Sequence, residues 1–221
     1  MSSTASLDPP AGAPTPQRAP AKVWSGTLHG VAGHPIRVEV DARANGLPSY
    51  QTVGLPDGAV REGKDRIRAA VRHAGFHFPD GPVTVNLAPA DLRKDGTALD
   101  LPIALGILVA CGAVPATRLP DHLVLGELGL DGTIQPIRGA LCLAAAASEA
   151  GVSHVIVPAE NAVEAALVEG VRVLAARHLQ EVARHFAGAE ELPVVARKLP
   201  ILDDATRARA PDLTRIRGQV A

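Results

Sequence analysis

Five consecutive residues, Lys94-Asp95-Gly96-Thr97-Ala98, join an alternating apolar stretch to a long uncharged one. A turn between a strand and a helix is a place where a fold presents a reactive group, so this segment is the first candidate for chemistry. A second is Gly58-Ala59-Val60-Arg61-Glu62-Gly63-Lys64-Asp65, one residue short of the phosphate-binding loop G-x-x-x-x-G-K-[ST]. The residue after the lysine has to place a hydroxyl on Mg²⁺, whereas Asp65 brings a carboxylate towards the phosphates. Val60, Ile67 and Val71 also keep helical spacing through the segment, so a helix and no ATP site are expected here. His73 and His77 have the i, i+4 spacing of a metal pair. Gly75 interrupts the helix between them and no third ligand clusters nearby, so no metal site is expected. Arg61, Lys64, Arg68 and Arg72 recur at steps of three and four, flanked by Glu62 and Asp65. The stripe suits a solvated helix face, a phosphate backbone or a partner subunit.

The elements that must carry these residues follow from periodicity. Ile36 to Asp41 alternates cleanly and predicts a strand, Asn45-Gly46 a turn, and Tyr50 to Val53 a second strand. Asp57 is expected to cap a helix running to about Ala74, with Gly75 as its stop. On a wheel of about 100° per residue the four cations span about 80°, while Val60, Ile67 and Val71 lie roughly 100° round from their centre. Val83 to Leu87 is a strand with one buried face. The helix beyond it is expected to be N-capped by Asp100, with Pro102 in its first turn, and to be central to a core because Leu101 to Thr117 carry no charge. Further strands are predicted at Leu123 to Leu128, Thr133-Ile134, Val155 to Pro158 and Val171 to Leu174. Helices are predicted at Gly139 to Ala150, Ala162 to Leu167 and His178 to Phe186. Strands lead and helices follow, so the fold class is α/β with a mixed sheet.

The chain of 221 residues is 47% hydrophobic but only 2% aromatic, so its core is built from Ala, Val, Leu and Ile. A net charge of −1 gives no global basic excess, and any nucleic-acid contact must be local. Cys111 and Cys142 fall in predicted apolar helices and are expected to be buried and reduced, in a cytoplasmic setting. The N-terminus has no apolar run of the signal-peptide kind. The uncharged run from Leu101 holds about 17 residues interrupted by Gly106, Gly112 and Pro115, short of a membrane span. Residues 1–22, rich in Pro and Ala, are expected to be disordered, residues 23–187 to form one domain, and residues 188–221 to be a linker.

Lys94-Asp95-Gly96-Thr97-Ala98 resembles the Lon-type protease domain, whose turn reads K-D-G-x-S with Ser as nucleophile. In that family a Lys in G-E-x-P-I-G-G-x-K completes a Ser–Lys dyad. Here Gly126-Glu127 precedes Gln135-Pro136-Ile137-Arg138-Gly139-Ala140-Leu141. The nucleophile therefore falls on Ala98 and the base on Leu141, and neither a methyl nor an isobutyl group can serve. Thr97 is one residue out of register.

A closer match is the N-terminal, Lon-like domain of the magnesium-chelatase-like AAA+ ATPases, the ComM/YifB family. Val85-Asn86-Leu87-Ala88-Pro89-Ala90-Asp91-Leu92 resembles it most strongly. Asn45-Gly46-Leu47-Pro48, Val53-Gly54-Leu55-Pro56, Arg66-Ile67-Arg68-Ala69-Ala70, Leu99-Asp100-Leu101-Pro102-Ile103-Ala104 and Pro158-Ala159-Glu160-Asn161 add to it. The resemblance implies a Lon-protease-like, ribosomal-protein-like mixed sheet. It also implies a parent activity of ATP-driven DNA branch migration or helicase work by a hexameric ring, in DNA uptake, natural transformation and recombination. ATP and Mg²⁺ would belong to an ATPase module expected after Gln219 and missing from the chain as given. The resulting reading is a peptidase-inactive domain without nucleotide, cofactor, metal or membrane, whose partners are DNA, an AAA+ module or other ring subunits. Arg61, Lys64, Arg68 and Arg72 are the candidate contacts. The alternatives are a stand-alone regulatory module docking on a separate ATPase and, further off, a Lon-like serine peptidase.

Overall fold

The structure, a computed structural model, describes residues 19–198. In chain order these form β1 (Ala21–His29), β2 (Ala32–Ala42), β3 (Tyr50–Val53), α1 (Gly58–His73), β4 (Val83–Ala88), α2 (Asp100–Ala110), β5 (His122–Val124), β6 (Glu127–Leu128) and β7 (Ile134–Gln135). There follow α3 (Ala140–Glu149), β8 (His154–Pro158), α4 (Ala162–Ala165), β9 (Arg172–Ala176) and α5 (Leu179–Phe186). Seven strands make one sheet in the order β3-β4-β2-β1-β5-β8-β9. The β1–β2 and β2–β4 pairs are antiparallel and the rest parallel, so the sheet is mixed, as the sequence predicts.

Alternation decides which residue faces which layer. Ile36, Val38 and Val40 of β2 are buried in one core with α1, α2 and α5, while Arg37, Glu39 and Asp41 point the other way. In β8 the split is visible within one strand: Ile156 joins that first core, whereas Val155 and Val157 join a second one with α3 and α4. α2 is buried from Asp100 to Val109, which explains a helix without a polar face. It lies so close to the sheet that a Cβ on Gly106 would stand 2.6 Å from Val40 Cγ2. β1, which the periodicity does not single out, runs through the centre of the sheet, and its buried Ser25 hydroxyl donates to the Val124 carbonyl at 2.8 Å.

Several expectations need correction. The predicted strand from Leu123 to Leu128 divides into β5 and β6, and β6 leaves the large sheet to pair with β7. α2 ends at Ala110 and does not reach Thr117, because Gly112, at φ +78°, turns the chain so that the Ala113 amide donates back to Leu108. Cys111, just past that end, is exposed and Cys142 is half-buried, so the pair is not interior. The segment from Gly188 is predicted to be linker, yet its described part turns back along β9. The Val195 amide donates to Val173 at 2.9 Å, Ala175 donates to Pro193 at 3.0 Å, and Leu192 is buried. The ladder amides of β9 need acceptors at this edge, and the returning chain supplies them. Residues 1–18 and 199–221, which hold the rest of the predicted tails, lie outside the described residues. No helix among the described residues is long and apolar enough to cross a membrane.

Candidate functional site

The first turn of α1 and the Lys94–Gly96 turn are built as one unit. Asp57 caps the helix, its Oδ1 accepting from the Val60 amide at 2.8 Å, and its Oδ2 accepts from the Gly96 amide at 3.1 Å. The two segments also exchange backbone bonds, Lys94 N to Leu55 O and Asp57 N to Lys94 O. Lys94 itself points inward. It is fully buried, its ammonium donates to the Pro89 carbonyl, and burial pulls its pKa down. Asp95 is exposed and paired with Arg93. The Lys-Asp-Gly turn thus fixes a loop and presents no amine.

Ala98 is half-buried at the approach to α2, where its carbonyl accepts from the Gly126 amide at 2.9 Å. Leu141 lies in the first turn of α3, 39% exposed, so the two positions are carried by different elements. Beside Ala98 the Thr97 hydroxyl donates to the Glu127 carboxylate. Behind them sits Asp100. It is not the N-cap of α2, a position held by Leu99; its carboxylate turns instead towards α1 and β6. Arg66 donates to it from Nε and Nη2, and the Leu128 amide donates at 3.4 Å. Burial pushes Asp100 up to about 6, against the pull of Arg66. Sequence reasoning missed Arg66. The available signal was an acid immediately before ten apolar residues, which needs a cation when buried.

The four candidate cations share α1 but not one environment. Arg61 and Arg72 are exposed, while Lys64 and Arg68 are half-buried. The Lys64 ammonium lies 5.8 Å from the centre of the Tyr50 ring, and the Arg68 guanidinium 5.0 Å from that of Phe78. Each therefore sets its charged head over an aromatic ring. The Arg68 Nε is buried with no hydrogen-bond partner among the described residues. The eleven-residue step from Arg61 to Arg72 corresponds to about 16 Å along the helix. His73 Nδ1–H donates to the Leu130 carbonyl, and His77 pairs with Asp80, so the two histidines have separate partners.

The family model for subunit ChlI of Mg-chelatase matches residues 38–161. The chain belongs to this ChlI-like family. It is 39% identical over 191 residues to YifB of Salmonella typhimurium, covering 86% of this chain and 36% of that protein. To the competence protein ComM of Haemophilus influenzae it is 38% identical over 174 residues, covering 79% of this chain and 34% of the relative. Lon protease 2 of Bacillus subtilis is more distant, at 26% identity over 168 residues, covering 68% of this chain and 30% of the protease. The resemblance read from the motifs is thus borne out. The chain spans about a third of the length of the ChlI-like relatives YifB and ComM.

Proposed function

We propose that this chain is the peptidase-inactive, Lon-like domain of a ComM/YifB-type magnesium-chelatase-like AAA+ ATPase, and that it acts by binding DNA or a neighbouring ring subunit through α1. In this reading ATP and Mg²⁺ belong to an ATPase module, and this domain contributes contacts and no chemistry. The observation that carries the reading is the basic face of α1. Arg61 and Arg72 are exposed at its two ends, with Lys64 and Arg68 held between them on Tyr50 and Phe78. Cations propped on rings lose less side-chain freedom on binding than free ones. Ala98 and Leu141 support the inactive half of the proposal, since neither side chain attacks a carbonyl or moves a proton.

Four cations neutralise up to about four phosphates, giving a log-affinity slope against log salt of roughly −3, and copies in a ring add avidity. The test is Arg61→Glu combined with Arg72→Glu, which changes only exposed side chains. DNA affinity at low salt is expected to fall at least tenfold and the salt slope to flatten, with the melting temperature held within a few degrees. Undiminished DNA binding by the stable double variant removes the nucleic-acid reading. A change in oligomeric state with DNA binding intact assigns the face to subunit contact.

A further inference from the structure

The second core is left open where α4 meets the β9 edge. Ala166 and Val173 are buried in it, but Val168, Val171 and Val195 pack against it only half-buried. Together they wall a groove of about 370 Å³, with Glu169, Arg172 and Arg197 on its polar rim. Aliphatic walls left in water forgo about 25 cal/mol for each Å² that a cover would bury. The returning chain leads directly to this groove. Val194 bridges Leu174, and the Val195 amide donates to Val173 at 2.9 Å, so the antiparallel course continues towards the start of β9. Arg197 is then fastened just beyond α4, its Nε donating to the Leu167 carbonyl at 3.0 Å and its guanidinium pairing with Glu169. The residues after Lys198 are Leu199-Pro200-Ile201-Leu202-Asp203-Asp204, four apolar residues and then two acids.

We infer that the groove is a docking site for the chain's own segment 199–202, which lays its aliphatic side chains on Val168, Val171 and Val195, with Asp203 and Asp204 meeting Arg172. Three observations select this occupant over a foreign peptide or a second copy. The first is reach. Arg197 already lines the groove. An extended residue spans about 3.3–3.6 Å, so all four apolar residues lie within about 14 Å of Lys198. A tether this short holds the segment at the groove at an effective concentration that a free partner does not match. The second is chemistry. Leu199, Ile201 and Leu202 offer the same aliphatic surface as the walls, and Pro200 carries no amide proton that would need an acceptor there. This is the one run of four apolar residues after Lys198. The third is charge. Glu169 on the rim is taken by Arg197, whereas Arg172 is exposed and enters none of the ion pairs among the described residues. Two carboxylates directly after the apolar run supply its missing partner. Docking carries the domain to Leu202, and anything attached further along the chain then leaves the body beside α4 in a fixed direction. The groove belongs to the second core and α1 to the first, so this inference does not depend on the basic face of α1.

The experiment is disulfide trapping in the full chain, with Cys111→Ser and Cys142→Ser removing the natural thiols. Val168→Cys is combined in turn with Leu199→Cys, Ile201→Cys and Leu202→Cys, and with Ala210→Cys as a reference further along the same tail. In a glutathione redox buffer, at least one of the three pairs is expected to close within the chain at least tenfold more favourably than the reference pair. Closure no better than the reference in all three overturns the docking. Bonds formed between two chains at micromolar protein assign the groove to a second copy and overturn the inference as well. Ile201→Asp with Leu202→Asp supplies a second measurement without touching the folded body. Hydrogen–deuterium exchange of peptides covering residues 165–173 is expected to rise at least fivefold in that variant, with α2 unchanged. Exchange at 165–173 equal to that of the natural chain overturns the docking. DNA binding by the variant is expected to match that of the natural chain, so the result stands apart from the Arg61 and Arg72 test.

Discussion

Arg66 Nε stands 2.8 Å from Asp100 Oδ2, joining residues 34 apart in sequence and locking α1 to the first turn of α2. The side chain of Asp100 is 2% exposed and that of Arg66 24%, so the cation reaches in from the rim to a buried carboxylate. Such a pair is weak evidence of net stability, but breaking it from the cation side strands a charge. Arg66→Met is therefore expected to cost about 3 kcal/mol, and Asp100→Asn, which removes the charge itself, about 1 kcal/mol. Urea unfolding at pH 7.5 makes the comparison. Equal losses would mean that Asp100 is not a stranded charge in the Arg66 variant.

The pH dependence of stability has two large opposing contributions. Asp100 rises from 3.8 to about 6 on folding, so its ionisation destabilises the fold above pH 6 and the penalty is relieved as pH falls towards 4. His122 drops from 6.5 to about 4, so its contribution is full above pH 6.5 and is lost as pH falls through the same window. Each is worth about 3 kcal/mol, so the natural chain is expected to change little between pH 6.5 and 4.5 on their account. Asp100→Asn should lose stability on acidification, and His122→Asn should gain it. Parallel pH profiles for the two variants would contradict this.

Gly106 lies mid-helix, where Ala ordinarily gains about 1 kcal/mol. Its Cβ would come 2.6 Å from Val40 Cγ2 and 3.3 Å from Val40 Cβ, and β2 cannot retreat because β1 and β4 flank it. Gly106→Ala is expected to destabilise by about 1–3 kcal/mol, and Val40→Ala in the same chain to recover part of the loss. Thermal unfolding of the two single variants and the double variant measures the coupling. A stabilised Gly106→Ala chain would refute the contact.

Serine-directed fluorophosphonates are expected to leave the chain unlabelled, because under the proposed function Ala98 takes the place of a Lon-type nucleophile, and the nearby Thr97 hydroxyl is committed to Glu127. Intact-mass spectrometry reads the outcome. Stoichiometric labelling that disappears on Thr97→Val would reinstate a rearranged nucleophile.

Elements with one buried face were legible from sequence. Ile36, Val38 and Val40 announce β2, and Asp57 with Gly75 brackets α1, because a single side chain at each point decides the local geometry. β1 was not legible, since Ser25, Gly26 and Thr27 blur its alternation and only a central place in the sheet explains their burial. The same holds for the candidate site. Helical spacing finds Arg61, Lys64, Arg68 and Arg72, but which of them rests on a ring depends on Tyr50 and Phe78, brought in by other elements. Arg66 and Asp100 find each other only through the packing of α1 on α2, which no local pattern encodes.

The two ends of the large sheet are closed in different ways. Beyond β9 lies the returning segment, with Leu174 opposite Val194 in an antiparallel bridge. At the other end β3 has only four residues, and Pro48 and Pro56 stand on either side of it. A foreign strand seeking a template would find one rim occupied and the other too brief, with flanking residues that cannot donate. Loss of the segment on β9 would bare the longer rim, so whatever displaces it also exposes the domain to edge-to-edge aggregation.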